Sequence, residues 1–223
     1  MPLEPDAIFP VMCITMDGTG MTHAQQAARL CAAGARWVQL RMKGAPRALW
    51  LAEARAAAQI CRGHGAVLIV NDDIAIALES GADGVHLGAL DAGWAEARAA
   101  LGPGRLVGGT VNSLADADRA AALGCLDYAG VGPLRFTGTK RNLAPVLGIG
   151  GVGRLVARLG GLPAWVIGGV EPADLPQIER AGAAGAAVSS ALFRGGRVEE
   201  NFRAFLGAWR GRGAPARAGP HNS

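Results

Sequence analysis

Eight short apolar runs, rich in β-branched or aromatic residues, alternate along this chain with Ala-rich stretches of helical period. The predicted strands are Phe9–Thr15, Trp37–Leu40, Val67–Val70, Gly84–His86, Leu106–Gly109, Tyr128–Val131, Ala164–Ile167 and Ala186–Val188. The predicted helices are Thr22–Ala33, Pro46–Arg62, Ile74–Glu79, Gly93–Leu101, Leu114–Leu123, Arg154–Leu159, Leu175–Ala181 and Glu199–Trp209. Eight strand–helix units in 223 residues predict an α/β fold, a single-domain (β/α)8 TIM barrel over residues 1–211. A doubly wound open sheet is the alternative, because periodicity alone does not show closure.

Helix-end signals agree with these boundaries. Thr22 and Ser113 occupy N-cap positions, where a hydroxyl oxygen accepts from a free backbone N–H. Glycines follow four of the predicted helices, where left-handed geometry is expected: Gly34, Gly81, Gly124 and Gly182. Residues 212–223 are rich in Gly, Pro and Arg and are predicted to form a flexible tail.

Composition limits the function classes. Hydrophobic residues make up 50% of the chain and charged residues 18%, which indicates a globular protein. No apolar run has membrane-spanning length, and the acidic, Pro-containing start predicts no signal peptide. Four scattered cysteines without C-x-x-C spacing indicate reduced thiols and a cytoplasmic location. A net charge of +4 with few aromatic residues favours small anionic substrates over nucleic acid. The sequence leaves open whether the chain forms a homo-oligomer.

Polar residues gather where the predicted strands end, and in a parallel barrel those ends form one mouth. These residues are Gln39, Arg41, Lys43, Asn71, Asp72, Asp73, His86, Asp91, Thr110, Thr137, Thr139, Lys140, Gly168, Gly169, Ser189 and Ser190. Carboxylates from neighbouring strands suit Mg²⁺, whereas Lys, Arg and Gly-rich turns suit phosphate. The pattern therefore predicts a mouth that holds two phosphate-bearing groups.

Lys43 and Lys140 are the only lysines among 22 Lys and Arg residues. A compact ammonium fits between phosphate oxygens in a way that a planar guanidinium does not, so both are candidates for phosphate contact. The alternative is two ordinary surface lysines.

Seven other candidates also have a structural alternative. Asp72 and Asp73 would act as first-turn acids that favour the dipole of the following helix. His86, at a strand end, is interpreted as a hydrogen-bonded core histidine. The hydroxyl groups that would serve only as loop or capping groups are Thr137, Thr139, Ser189 and Ser190.

The segment Gly148-x-Gly150-x-x-Gly153 fits the dinucleotide-binding fingerprint. No convincing strand precedes it and no first βα unit surrounds it. It is interpreted as a loop end, and no NAD is expected.

The ordered segments VQLRMK, NDD, HLGALD, GVGPLRFTGTK, IGG and VSSAL resemble the thiamine phosphate synthase family over nearly the whole chain. The resemblance implies a (β/α)8 barrel and a transferase of thiamine biosynthesis. Such an enzyme joins 4-amino-2-methyl-5-pyrimidinylmethyl diphosphate to a thiazole phosphate, with Mg²⁺, and releases diphosphate.

Matched position by position, the resemblance assigns three groups of residues. The pyrimidine diphosphate site is Gln39, Arg41, Lys43, Asn71, Thr110 and Lys140, of which Arg41, Lys43, Thr110 and Lys140 are the catalytic candidates. The Mg²⁺ ligands are Asp72 and Asp91. The thiazole phosphate pocket comprises Thr137, Thr139, Gly169, Ser189 and Ser190.

Three positions depart from the family pattern. Ala89 replaces a usual Gln, Asn112 an often-found His, and Thr110 a usual Ser. The sister thiazole tautomerases rely on that histidine, and an amide cannot shuttle a proton as imidazole does. A tautomerase-like isomerase and a non-catalytic phosphate-binding paralogue are the two alternative functions.

Overall fold

Each predicted apolar run forms a parallel strand in the computed structural model, which describes residues 9–88, 93–136 and 145–209. The strands are β1 (Val11–Ile14), β2 (Trp37–Leu40), β3 (Val67–Asn71), β4 (Gly84–Leu87), β5 (Leu106–Val111), β6 (Tyr128–Val131), β7 (Ala164–Ile167) and β8 (Gly185–Val188). The helices are α1 (His23–Ala32), α2 (Arg47–Gly63), α3 (Ile74–Ser80), α4 (Trp94–Leu101), α5 (Leu114–Leu123), α6 (Gly148–Arg158), α7 (Leu175–Arg180), α8 (Ser190–Phe193) and α9 (Val198–Ala208). Two single 3₁₀ turns, Pro172–Asp174 and Arg194–Gly196, complete the described elements.

The sheet closes on itself. Strand β1 pairs in parallel with both β2 and β8, with Cys13 opposite Val38 and Val11 opposite Ala186. The predicted barrel is therefore confirmed and the open sheet excluded. Within the described ranges, no helix is both long and apolar enough to cross a membrane.

The helix ends predicted from capping residues and glycines are also confirmed. Thr22 and Ser113 each form a reciprocal capping box, with Gln25 and Asp116 respectively. All four predicted glycines after helix ends have positive φ, from 57° at Gly124 to 104° at Gly34. These caps fix the starts of α1 and α5 and the ends of the four helices that the glycines follow.

The Gly-rich segment contradicts its interpretation as a loop end. Residues 148–153 lie inside α6, which begins six residues before the predicted helix start at Arg154. Gly151, Val152 and Leu155 are buried on one face of this helix. The free energy gained from that packing exceeds the cost of placing glycine in a helix, which is about 1 kcal/mol per residue relative to alanine.

Three aromatic side chains fill the barrel interior near the amino-terminal ends of the strands. Trp37, Tyr128 and Trp165 are fully buried, and their ring centroids lie 5.0–5.7 Å apart in edge-on or tilted contacts. The Trp165 indole N–H donates to the carbonyl of Phe9 (2.9 Å). We call these three rings the aromatic plug. It fills much of the lower half of the barrel interior, and the cavity at the strand ends lies above it.

Glycine provides the room for this plug. Gly108 lies directly opposite Tyr128 in the β5–β6 register, and a Cβ atom there would overlap the phenol ring. Gly130 similarly lies under His86, whose ring would be 3.1 Å from an added Cβ. The large rings and the glycines are therefore complementary parts of one packed layer.

We expect Gly108→Ala to destabilise the fold by about 1–3 kcal/mol or more, because neither the phenol ring nor the strand can move aside cheaply. Gly104→Ala is the matched control: its Cβ would meet nothing within 4 Å, and its φ is not positive. The control should stay within about 0.5 kcal/mol of wild type. Urea unfolding measures both, and equal stability of the two variants would contradict the proposed role of Gly108.

Candidate active site at the barrel mouth

The carboxyl ends of the strands surround a cavity of about 160 Å³ above the aromatic plug. Seven of the residues that the resemblance assigns line it, whereas Lys43 and Asp72 do not; the seven are Gln39, Arg41, Asn71, Thr110, Gly169, Ser189 and Ser190. Together they come from five strand ends around the barrel. Four predicted residues, Asp91, Thr137, Thr139 and Lys140, lie outside the described residues, as does Ala89.

Lys43 and Asp72 face each other across the ends of β2 and β3. The Lys43 ammonium forms an ion pair with the Asp72 carboxylate, and about half of the lysine side chain is exposed. Asp72 is the only non-glycine residue with positive φ (68°) in the described chain, and its N–H donates to the carbonyl of His86 (2.8 Å). Aspartate tolerates this left-handed geometry better than most residues. The backbone thus directs this carboxylate toward the lysine.

The two adjacent aspartates have different roles. The Asp73 carboxylate accepts from the backbone N–H of Ile76 (2.8 Å) and caps α3. Both aspartates precede the first turn of α3, so the prediction of first-turn acids is wrong, and Asp73 serves as the N-cap instead. Asp72, one residue earlier, makes its contact with Lys43 instead.

A row of hydrogen bonds leads from the plug to the cavity wall. Tyr128 Oη lies 3.2 Å from His86 Nδ1, and His86 Nε2 lies 3.0 Å from Thr110 Oγ1. Burial raises the pKa of Tyr128 well above its ordinary value, Asp127 adds to this, and a hydrogen bond with Gln39 partly opposes it. The phenol therefore stays protonated and can donate to His86.

One arrangement of protons satisfies the whole row. When Tyr128 donates to Nδ1, the other ring nitrogen of His86 carries the proton and donates to Thr110. The Thr110 hydroxyl proton is then free to point at a ligand. As interpreted from the sequence, His86 is hydrogen-bonded at both ring nitrogens, and its ring also lines the cavity.

Gln39 and Asn71 are buried polar residues on the cavity wall. Only 3% of Gln39 and 9% of Asn71 is exposed. The Gln39 amide also lies 3.6 Å from the Met12 sulfur, which is a weak acceptor. Amide groups in such positions suit the ring nitrogens and amino group of a heterocycle.

The opposite wall is built by the turns after β7 and β8. Gly168 and Gly169 have φ values of 99° and 65°, and Ser189 ends the connection from β8 into α8. Ser189 Oγ is buried and has no hydrogen-bond partner among the described residues. Its side chain does not cap α8, so the capping alternative fails for this serine. An unsatisfied buried hydroxyl beside a cavity indicates a position for a ligand oxygen.

Two ion pairs at this wall were not predicted from the sequence. Arg135 binds the Asp174 carboxylate through both terminal nitrogens and donates to the Gly169 carbonyl (3.0 Å), which fixes the glycine turn. The Arg135 guanidinium lowers the pKa of Asp174 below its ordinary range. Arg194, which lines the cavity, pairs with Glu171 (2.7 Å). Arg135 lies within the segment GVGPLRFTGTK, and nothing in the sequence identified its partner.

The described donors are compatible with a magnesium ion held partly by substrate. They include no group of three or more His, Cys, Asp or Glu side chains arranged to hold a metal. Mg²⁺ typically needs only one or two protein carboxylates when phosphate oxygens and water complete its octahedron. The Asp72 carboxylate, at the edge of the mouth, is suited to be one of these carboxylate ligands.

Comparisons with known proteins agree on one family. The family model for thiamine monophosphate synthase matches residues 8–192. The thiamine-phosphate synthase of Myxococcus xanthus is 45% identical over 184 residues, which cover 82% of this chain and 84% of that protein. The enzyme of the same name from Bacteroides fragilis is 37% identical over 185 residues, covering 81% and 90%.

A solved structure shares the fold. The thiamine phosphate pyrophosphorylase from Pyrococcus furiosus superposes with a TM-score of 0.82 at 26% identity, covering 92% of this chain and 97% of that one. The closed barrel, the matched residues 8–192 and the level of identity lead to the same conclusion. The chain belongs to the thiamine monophosphate synthase family.

Proposed function

We propose that this chain is a thiamine-phosphate synthase, which joins a pyrimidinylmethyl diphosphate to a thiazole phosphate and releases diphosphate. The observation that carries the proposal is a single cavity bounded by both predicted half-sites. Gln39, Arg41 and Asn71 line one side of it, and Gly169 and Ser189 line the other. Two phosphate-bearing substrates that meet there would have their reactive ends side by side above the plug.

In the proposed reaction the bond between the pyrimidine methylene and the diphosphate oxygen breaks first. The diphosphate leaves with the electron pair, and the amino group of the ring delocalises the positive charge that remains. The thiazole nitrogen then attacks the methylene carbon and forms the new C–N bond. No side-chain nucleophile is needed, so the protein acts by orienting the substrates and stabilising charge.

The residues of the mouth divide these tasks. Arg41 and Lys43, with Lys140 as the third proposed cation, offset the negative charge of the departing diphosphate. Thr110, oriented by His86, donates its hydroxyl proton at the same site. Asp72 and Asp91 are the proposed ligands of Mg²⁺, which when bound would neutralise further charge on the diphosphate. The thiazole phosphate is assigned to Thr137, Thr139, Gly169, Ser189 and Ser190.

A tautomerase function is less well supported. Asn112, which occupies the position of the tautomerase histidine, lines the cavity and cannot relay a proton as imidazole does. The matched relatives are named as synthases. Lys43 beside Asp72 also suits a metal diphosphate, which an isomerase acting on the thiazole phosphate alone would not bind.

The direct test mixes the purified protein with the pyrimidine diphosphate, the thiazole phosphate and Mg²⁺. Released diphosphate and condensed product should appear in equal amounts, and excess chelator should stop both. Isomerised thiazole phosphate formed in the presence of chelator would instead support the tautomerase. Tight binding of both substrates without any product would support the non-catalytic paralogue.

Replacing Asp72 should remove most of the turnover while the fold is kept. We expect Asp72→Asn to lower kcat/KM about 10²-fold, the usual cost of losing one charge contact in a transition state. Asparagine also tolerates the left-handed backbone of this position, so unfolding should change little. Steady-state kinetics and thermal unfolding measure the two effects.

Asp73→Asn is the matched control for Asp72→Asn. It removes the same charge one residue away but keeps an N-cap oxygen for Ile76. Its kcat/KM should stay within about threefold of wild type. Equal losses in both variants would show that the effect reports local charge and not the placement of Asp72.

Ser189→Ala should weaken thiazole phosphate binding without weakening the fold. Its Oγ has no partner among the described residues, so its removal should leave the free energy of unfolding within about 0.5 kcal/mol of wild type. The KM for thiazole phosphate should rise about tenfold, which corresponds to one lost hydrogen bond to a charged group. The KM for the pyrimidine diphosphate should stay unchanged.

Ser113→Ala gives the opposite pattern and serves as the control. It removes the N-cap of α5 and should lower stability by about 1 kcal/mol with both KM values unchanged. An unchanged KM for thiazole phosphate in Ser189→Ala would exclude Ser189 from the phosphate pocket.

A further inference from the structure

A second polar cluster lies beside the mouth, on the connection from β1 to α1. Thr15 is fully buried, and 5% of His23, the first residue of α1, is exposed. Thr15 Oγ1 lies 2.7 Å from His23 Nδ1, and His23 Nε2 lies 3.1 Å from an Asp17 carboxylate oxygen. None of these three residues belongs to the predicted site.

Both ends of this cluster hold the backbone after β2. The N–H of Arg41 donates to Thr15 Oγ1 (3.1 Å), and the N–H of Lys43 donates to the second oxygen of Asp17 (3.3 Å). Side chains of the β1–α1 connection therefore fix two backbone groups of the segment that carries both cations. That segment would otherwise run from the end of β2 to α2 without regular structure.

The four contacts can all be made at the same time. In the His23 tautomer that carries its proton on Nε2, for example, Thr15 donates its hydroxyl proton to Nδ1 and still accepts from Arg41. His23 donates to one oxygen of Asp17, whose other oxygen accepts from Lys43. The His23 ring thus sets the distance between two acceptors: Thr15 Oγ1, which accepts from the Arg41 N–H, and the Asp17 carboxylate, which accepts from the Lys43 N–H.

The base of this cluster is itself rigid. The Gln26 side chain is fully buried, accepts from the Met16 N–H (3.0 Å) and donates to the Met16 carbonyl (2.8 Å) and the Thr19 hydroxyl (2.9 Å). The residue before Asp17 is therefore held on α1. A rigid support matters here because the Lys43 ammonium must meet Asp72 on the next strand end.

We propose that Thr15, His23 and Asp17 are positioning residues that hold the Arg41–Lys43 segment ready for diphosphate. The inference rests on the proposed function, because it takes the diphosphate to be the ligand of that segment. The three residues do not touch substrate; they act through the two backbone N–H groups. Their loss should weaken binding of the diphosphate substrate and leave the thiazole phosphate pocket, on the other side of the barrel, unaffected.

The test compares Asp17→Ala with Thr19→Ala. Thr19 lies in the same turn, and its hydrogen bonds given by the structure go to Met21 and Gln26, so this variant disturbs the turn without touching the segment after β2. Binding of inorganic diphosphate with Mg²⁺ is measured by calorimetry, and KM is measured for each substrate. Asp17→Ala should weaken diphosphate binding and raise the KM of the pyrimidine diphosphate about tenfold, with the KM of thiazole phosphate within about twofold.

A conservative variant, Asp17→Asn, distinguishes a positioning role of Asp17 from general structural support. Asp17→Asn keeps an oxygen for the Lys43 N–H, and its amide can donate to a His23 ring that carries its proton on Nδ1. Its diphosphate affinity should lie within about threefold of wild type. All variants should melt within about 2 °C of wild type, because Asp17 and Thr19 lie in a surface turn.

Two results would overturn the inference alone while the wild type still binds diphosphate and forms product. One is diphosphate binding in Asp17→Ala equal to that in Thr19→Ala. The other is an equal rise of both KM values. A wild-type protein that neither binds magnesium diphosphate nor forms product would overturn the proposed function, and the inference with it.

Discussion

The aromatic plug is the constraint on which the rest of the molecule depends. A parallel eight-stranded barrel must fill its interior, and here three rings and the glycines opposite them fill its lower half. Polar side chains at the strand ends consequently face a closed floor and form a pocket. Tyr128 links the two halves, since its ring belongs to the plug and its hydroxyl contacts His86 below the ligand space.

The two walls of that pocket are prepared in different ways. On the β2–β3 side, Gln39, Arg41 and Asn71 line the cavity. Lys43 and Asp72 form an ion pair next to this wall, and side chains of the β1–α1 connection hold the backbone of the segment after β2. On the β7–β8 side, positive-φ glycines are fixed by Arg135, and Ser189 is left with an unsatisfied hydroxyl. The proposed diphosphate site thus contains several charges, whereas the proposed phosphate pocket combines neutral donors with Arg194, which pairs with Glu171. Fixed donors of both kinds lower the reorganisation needed as charge develops.

Much of this arrangement was predictable because it follows from local patterns. The alternation of apolar runs and Ala-rich stretches predicted every strand and all the described helices except α8, most of their ends within a residue or two. Features set by tertiary contacts were not predictable. The sequence does not reveal that packing would make residues 148–153 helical, or that Arg135 would find Asp174, 39 residues away. Nor does it separate Asp72 from Asp73, because a left-handed φ at the first decides which carboxylate caps the helix.

At Asp72, the residue that would best stabilise the left-handed backbone differs from the residue that the proposed function needs. A glycine at position 72 would adopt the same backbone freely, whereas aspartate carries a conformational cost of up to about 1 kcal/mol. Selection for stability alone would favour glycine there. The carboxylate beside Lys43 is therefore a residue that the fold tolerates rather than one it requires. Attempts to raise the thermal stability of this barrel should leave that position unchanged, because the proposed function needs a carboxylate there.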